Sequence, residues 1–167
     1  ADDLPVMIEA GLENLKSYSV NSIRSYLKRS VAEQSEHLRM EAEEGDGHKE
    51  MGATVVVLLI AADRAYIASA GDSRVYLLRD DKLKQVTKDH STVEELIDAG
   101  KIERHEAMDH PSAGEITHYM GMETDEIEPF VKSFVVEEGD RFLLVSDGLT
   151  DMLDDEARGG PLQSEED

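Results

Sequence analysis

The chain has 167 residues, with 17 Lys plus Arg against 38 Asp plus Glu, for a net charge of −21. That excess of acid argues against a nucleic-acid partner, which needs clustered cations, and against docking on an anionic membrane surface. Hydrophobic residues make up 40% of the chain, enough for a core, and the absence of Cys excludes disulfides, thiolate zinc sites and cysteine nucleophiles. The longest apolar run, Ala53 to Ala62, is far short of the roughly 20 residues a membrane span needs. With no signal-like N-terminus, the expected location is cytoplasmic. Most of the acids read as solvated surface, and position must decide whether a few of them bind divalent cations.

The first third reads as helical. Leu4, Ile8, Leu12 and Leu15 share one helical face, and Val20, Ile23, Leu27, Val31 and Leu38 form a second stripe. Ser17 and Ser19 lie between the stripes as candidate caps. Glu41 to Glu50, with Gly45 and Gly47, reads as a loop. Ala53 to Ile60 is a β-branched run suited to a strand buried on both faces. Ala65–Ala70, Arg74–Leu78 and Leu83–Val86 then read as strands of an antiparallel meander, joined at Gly71-Asp72-Ser73 and Asp80-Asp81. The segment 89–128 is polar, with short helical pieces near Thr92–Ala99 and Glu103–Met108, and Gly100 as a C-terminal stop. Phe130–Val136 and Arg141–Ser146 read as a hairpin, followed by a helical turn at Leu149–Leu153 and an acidic tail. Helices followed by antiparallel strands predict an α+β layered domain.

Two aspartates carry candidate chemistry. Asp147 follows the apolar strand Phe142–Ser146 and precedes Gly148, and Asp72 follows the strand Ala65–Ala70 in Gly71-Asp72-Ser73-Arg74. A carboxylate at the end of a buried strand is rigidly held, and the neighbouring glycine admits a ligand or water close to the backbone. Mg²⁺ and Mn²⁺ prefer such oxygen donors. The alternative is that each aspartate caps its turn, as Asp-Gly and Gly-Asp pairs commonly do.

Six strings occur in order: Gly52-Ala53-Thr54; Ala68-Ser69-Ala70-Gly71-Asp72-Ser73-Arg74-Val75-Tyr76; Thr87-Lys88-Asp89-His90-Ser91; His110-Pro111; Gly139-Asp140; and Ser146-Asp147-Gly148-Leu149-Thr150-Asp151. Together they resemble the metal-dependent protein serine/threonine phosphatases of type 2C, especially the bacterial branch. The resemblance implies an antiparallel β-sandwich flanked by helices. It also implies a Mn²⁺ or Mg²⁺ centre and hydrolysis of phosphoserine and phosphothreonine in a phosphoprotein substrate by a metal-activated water. Within it, Asp147 matches a core metal ligand and Asp72 the ligand of a weaker third metal, while residues 89–128 match a mobile flap. Asp151 belongs to the same motif as Asp147, with its role open between ligand and turn cap.

The departures set further expectations. The family's bridging Asp-Gly motif, its phosphate-binding Arg and its terminal Asp-Asn have no counterpart, and Asp46-Gly47-His48 reads as a loop rather than a substitute. The expected unit is therefore a partial phosphatase-like domain over residues 1–155, incomplete at both ends, with a tail over 156–167. No catalytic residue is assigned, and impaired or absent turnover is expected, since one carboxylate cannot hold two metals ~3.5–4 Å apart. The competing reading is a non-catalytic, pseudophosphatase-like module that binds a phosphoprotein or partner subunit. Open sheet edges would also favour self-association. His90 and His110 read as structural in preference to a catalytic acid, Met120 and Met122 as packing residues, and Arg74 as the partner of a nearby carboxylate in preference to a phosphate contact.

Overall fold

The computed structural model describes residues 18–44, 51–122 and 127–150. The stripe from Leu4 to Leu15, the Asp46-Gly47-His48 string, Asp151 and the tail lie outside the described residues.

Helix α1 spans Val20–Glu44. Ser19 caps it, its hydroxyl accepting from the Ser22 N–H at 3.1 Å. Ile23, Leu27 and Val31 recur at i, i+4 spacing and are buried, with Ser30, Gln34 and Ser35 beside them. The helix runs through Glu41–Glu44, which were expected to form a loop. Ala42 extends the buried stripe one turn beyond Leu38, and Arg39 pairs with Glu36 and Glu43 on the outer face.

Among the described residues the strands are β1 (Val55–Ala61), β2 (Arg64–Ala70), β3 (Arg74–Arg79), β4 (Lys82–Gln85), β5 (Phe130–Val135) and β6 (Arg141–Val145). They form two antiparallel sheets, ordered β1-β2-β5 and β4-β3-β6. This is the α+β sandwich with flanking helix that the resemblance implied, and it corrects the connectivity read from the sequence. Neither β2–β3 nor β5–β6 is a hairpin. Each connection carries the chain from one sheet to the other, so β2 pairs with β1 and β5, while β3 pairs with β4 and β6. The true hairpins turn at Ala62-Asp63 and at Asp80-Asp81; both aspartates of the second take positive φ, the backbone of a type I′ turn.

The sandwich has two cores. Ile23, Leu27 and Val31 of α1 pack on Tyr66, Ala68 and Ala70 of β2, with Met120 and Ile127 closing the cluster. Between the sheets, Ile67 of β2 meets Val75, Leu77 and Val86, flanked by Val56, Leu58, Phe134 and Phe142. Alternation along β2 explains both, since successive residues serve opposite faces. Strand β1 sends side chains into both clusters but is only half-buried, because it lies at the edge of its sheet among the described residues; Ile60 is 53% exposed. Met122 packs against the first cluster beside Met120.

Helix α2 spans Thr92–Asp98, capped by the Ser91 hydroxyl, with Gly100 at positive φ just beyond it. The second helical piece is a 3-10 turn over Arg104–Glu106, and helix α3 spans Asp147–Thr150, opening earlier than expected.

Candidate metal centre

The two candidate aspartates leave the same end of one ladder. Arg74 of β3 faces Val145 of β6. Asp72 stands two residues before Arg74 and Asp147 two residues after Val145, both just past the paired residues of the ladder. Asp147 is exposed at the start of α3, and its Oδ1 accepts from the Gly148 N–H at 2.8 Å. Asp72 is half-buried. Burial pushes its carboxyl above the ordinary carboxylate range, and the negative charges of Asp147 and Asp89 add to the rise. Two mutually repelling carboxylates at an open sheet end are the electrostatic arrangement a divalent cation relieves.

The Asp72 loop is held from several sides. Gly71 has φ +103°, and a Cβ there would lie 2.7 Å from Thr54 Cβ and closer still to its methyl. The Thr54 and Ser73 hydroxyls hydrogen-bond at 2.7 Å. Next in sequence, Arg74 makes a forked contact with the buried Asp89, Nε to Oδ2 at 2.9 Å and Nη2 to Oδ2 at 2.5 Å. Gln85 Nε2 donates to the other oxygen at 2.8 Å, and Arg74 Nη1 donates to the Tyr76 hydroxyl at 3.2 Å. Burial raises the Asp89 carboxyl, with Arg74 and Gln85 opposing that rise. Burial also opposes the Arg74 charge, but the Asp89 contact outweighs it and raises the guanidinium pKa. Arg74 thus has the structural partner expected of it, which is Asp89.

His90 touches the same loop, accepting from the Gly71 N–H through Nδ1 and donating its own N–H to the Gly71 carbonyl. Its carbonyl accepts from Thr117 N–H at 2.8 Å, and its ring lies 5.1 Å from that of His118. The segment following Asp89 is tied down again by bridges between Ser91 and Ile116 and between Ala53 and Met120. His110 Nδ1 accepts from Ser112 N–H at 3.1 Å inside its own turn, a structural bond.

Residues 8–96, more than half of the chain, match the family described as protein phosphatase 2C. The chain belongs to this family. Among phosphatase 2C relatives, the serine/threonine phosphatase stp of Listeria innocua is 34% identical over 149 residues, covering 89% of this chain and 58% of its own length. The crystal structure of the serine/threonine phosphatase Stp1 from Staphylococcus aureus matches with a TM-score of 0.79 at 29% identity, covering 93% of this chain and 61% of that one. The catalytic domain of the phosphatase PstP, solved in complex with two manganese ions, matches with a TM-score of 0.62 at 30% identity, covering 94% of this chain and 65% of that one. The chain therefore spans less than two thirds of the length of the relatives it matches.

Asp72 and Asp147 supply hard oxygen donors of the kind Mn²⁺ and Mg²⁺ prefer, and two carboxylates with water completing the shell suit a single such ion. Among the described residues, no three His, Asp or Glu side chains converge to hold a metal. The positions of both aspartates just beyond strand ends were legible in sequence. The Thr54–Ser73 and His90–Gly71 contacts were not, because each joins residues 19 apart through tertiary packing.

Proposed function

We propose that this chain forms part of a metal-dependent protein serine/threonine phosphatase acting on phosphoserine and phosphothreonine in protein substrates. The observation that carries this reading is the placement of Asp72 and Asp147 just past the same end of the β3–β6 ladder, near enough that the Asp147 charge adds to the rise that burial gives the Asp72 carboxyl. These two carboxylates would hold Mn²⁺ or Mg²⁺, which when bound neutralises phosphate charge and lowers the pKa of a bound water. Gly148 N–H fixes the Asp147 carboxylate, while Thr54, His90 and the Arg74–Asp89 pair fix the loop that presents Asp72. Residues 89–128 serve as the flap beside the site, within a phosphatase domain over 1–155 followed by a tail over 156–167. No helix among the described residues is long and apolar enough to cross a membrane.

Mn²⁺ titration followed by electron paramagnetic resonance tests the site. Binding should weaken in Asp72→Asn and in Asp147→Asn; unchanged affinity in both would overturn it. Because a pair of carboxylates suits a single ion, the 167-residue polypeptide assayed by itself should hydrolyse a small aryl phosphate slowly or not at all. Rapid Mn²⁺-dependent turnover abolished by Asp147→Asn would reverse that expectation. The same two-carboxylate donor set favours a second reading, a non-catalytic module for a phosphoprotein or partner subunit. Saturable binding of a phosphoprotein without metal would support it.

A further inference from the structure

Gly71 is clasped at both of its backbone polar groups by one residue. Its N–H donates to His90 Nδ1 at 3.2 Å, and its carbonyl accepts from His90 N–H at 3.0 Å. The accepting Nδ1 assigns the ring proton to Nε2, the neutral tautomer. Burial, reinforced by the charges of His118 and Lys88, lowers the His90 pKa and keeps the ring in that form. The clasp falls at a glycine with φ +103°, where the backbone has the widest freedom and the greatest need of restraint. The next residue is Asp72.

We propose that His90 is a positioning residue for the metal carboxylate, fixing the Gly71 peptide by a two-point clasp and so the direction in which Asp72 is presented. The proposal rests on the reading of Asp72 and Asp147 as a metal site and deepens it. Thr54 and Ser73 brace the far side of the same loop, so the clasp and the hydroxyl pair hold Asp72 between them. The carbonyl of His90 is occupied by Thr117 N–H, which anchors the clasping residue to a second segment of chain rather than leaving it on a free loop.

Two substitutions separate the acceptor from the ring. His90→Phe keeps a flat ring against His118 and loses the acceptor, while His90→Asn loses the ring and restores an acceptor oxygen near the Nδ1 position. Both keep the backbone N–H. Two quantities are read on the 167-residue chain: amide hydrogen exchange at Gly71 by nuclear magnetic resonance, and Mn²⁺ affinity by electron paramagnetic resonance. His90→Phe should accelerate Gly71 exchange and weaken Mn²⁺ binding by about 10-fold, the scale of lost support behind a metal ligand, and His90→Asn should restore both towards the native values. Exchange at Ile67 and Ala68, buried in β2, should stay slow in both variants. Three results would overturn the proposal: native Gly71 exchange in His90→Phe, faster exchange with unchanged Mn²⁺ affinity, or acceleration at Ile67 and Ala68 as well. Equal losses in both variants would assign the effect to ring packing and also overturn it. If Mn²⁺ binding by the native chain proves independent of Asp72 and Asp147, the metal reading fails, and Gly71 exchange alone then decides the clasp.

Discussion

Arg79 grips Asp140 with both arms of its guanidinium, Nε to Oδ1 at 2.8 Å and Nη2 to Oδ2 at 2.6 Å, while the same Nη2 donates to the Val135 carbonyl at 3.0 Å. Arg79 ends β3 in one sheet and Val135 ends β5 in the other, so a single side chain pins the corner where the chain changes sheets. The Asp140 side chain is 1% exposed, and its Oδ2 also accepts from Glu137 N–H at 2.9 Å.

Asp140→Ala should therefore destabilise the fold by about 1.5–3 kcal/mol, the scale of hydrogen bonds to a charged group, as read by urea denaturation. The effect should depend on pH. The Arg79 hydrogen bond, against the opposing pull of burial, holds the Asp140 carboxyl below the ordinary carboxylate value. A depressed acid stabilises the folded state above the unfolded carboxyl's pKa of about 3.9, and that contribution is lost as pH falls through the lower folded value. The stability gap between native protein and variant should hold from neutral pH to mildly acid pH and close below it.

Gly71→Ala tests the crowded start of the Asp72 loop. The φ of +103° alone should cost about 1–3 kcal/mol with a side chain present, and the encounter with Thr54 should add to it. Chemical denaturation reads the loss, and Mn²⁺ affinity should fall with it because the displaced loop carries Asp72.

Asp89→Ala should be among the most damaging single changes. It leaves Arg74, 19% exposed, without its carboxylate, at about 3–5 kcal/mol for an uncompensated buried charge. Replacing both partners together, as Arg74→Met with Asp89→Leu, should cost less than Asp89→Ala. A double-mutant comparison of unfolding free energies checks the order.

Core and edge should respond differently to truncation. Leu27→Ala removes a fully buried side chain between α1 and β2, with an expected loss of about 2–5 kcal/mol. Ile60→Ser alters an exposed position on β1 and should stay within about 0.5 kcal/mol of native stability. Thermal and urea unfolding should rank the two without overlap.

What could be read in the sequence was local. The i, i+4 stripe from Ile23 to Val31, the Ser19 cap, the Asp80-Asp81 turn and the strand-end aspartates each depend on residues a few positions apart. The partition of strands between sheets was hidden, because Gly71-Asp72-Ser73 between two short strands has the signature of a hairpin whether the chain folds back or crosses over. What sends it across is the positive φ at Gly71 together with Thr54 and His90 pressing on the loop, and both partners are distant in sequence. Continuation of α1 past Leu38 was masked in the same way, by a run of charges that pair along the helix surface instead of marking a loop.

The ladders differ in how much chain they must close. The β1–β2 and β3–β4 hairpins join neighbours, whereas β2–β5 matches Arg64 with Val135 and β3–β6 matches Arg74 with Val145. Loop-closure entropy makes the two long ladders the slow, late steps of folding. Asp72 lies two residues before one strand of the β3–β6 ladder and Asp147 two residues after the other, and a slip of one residue between those strands would turn a whole strand's side chains to the wrong face. At the proposed metal site, a half-folded chain would offer a cation only separate carboxylates, and metal capture would report that the second sheet had zipped in its native register.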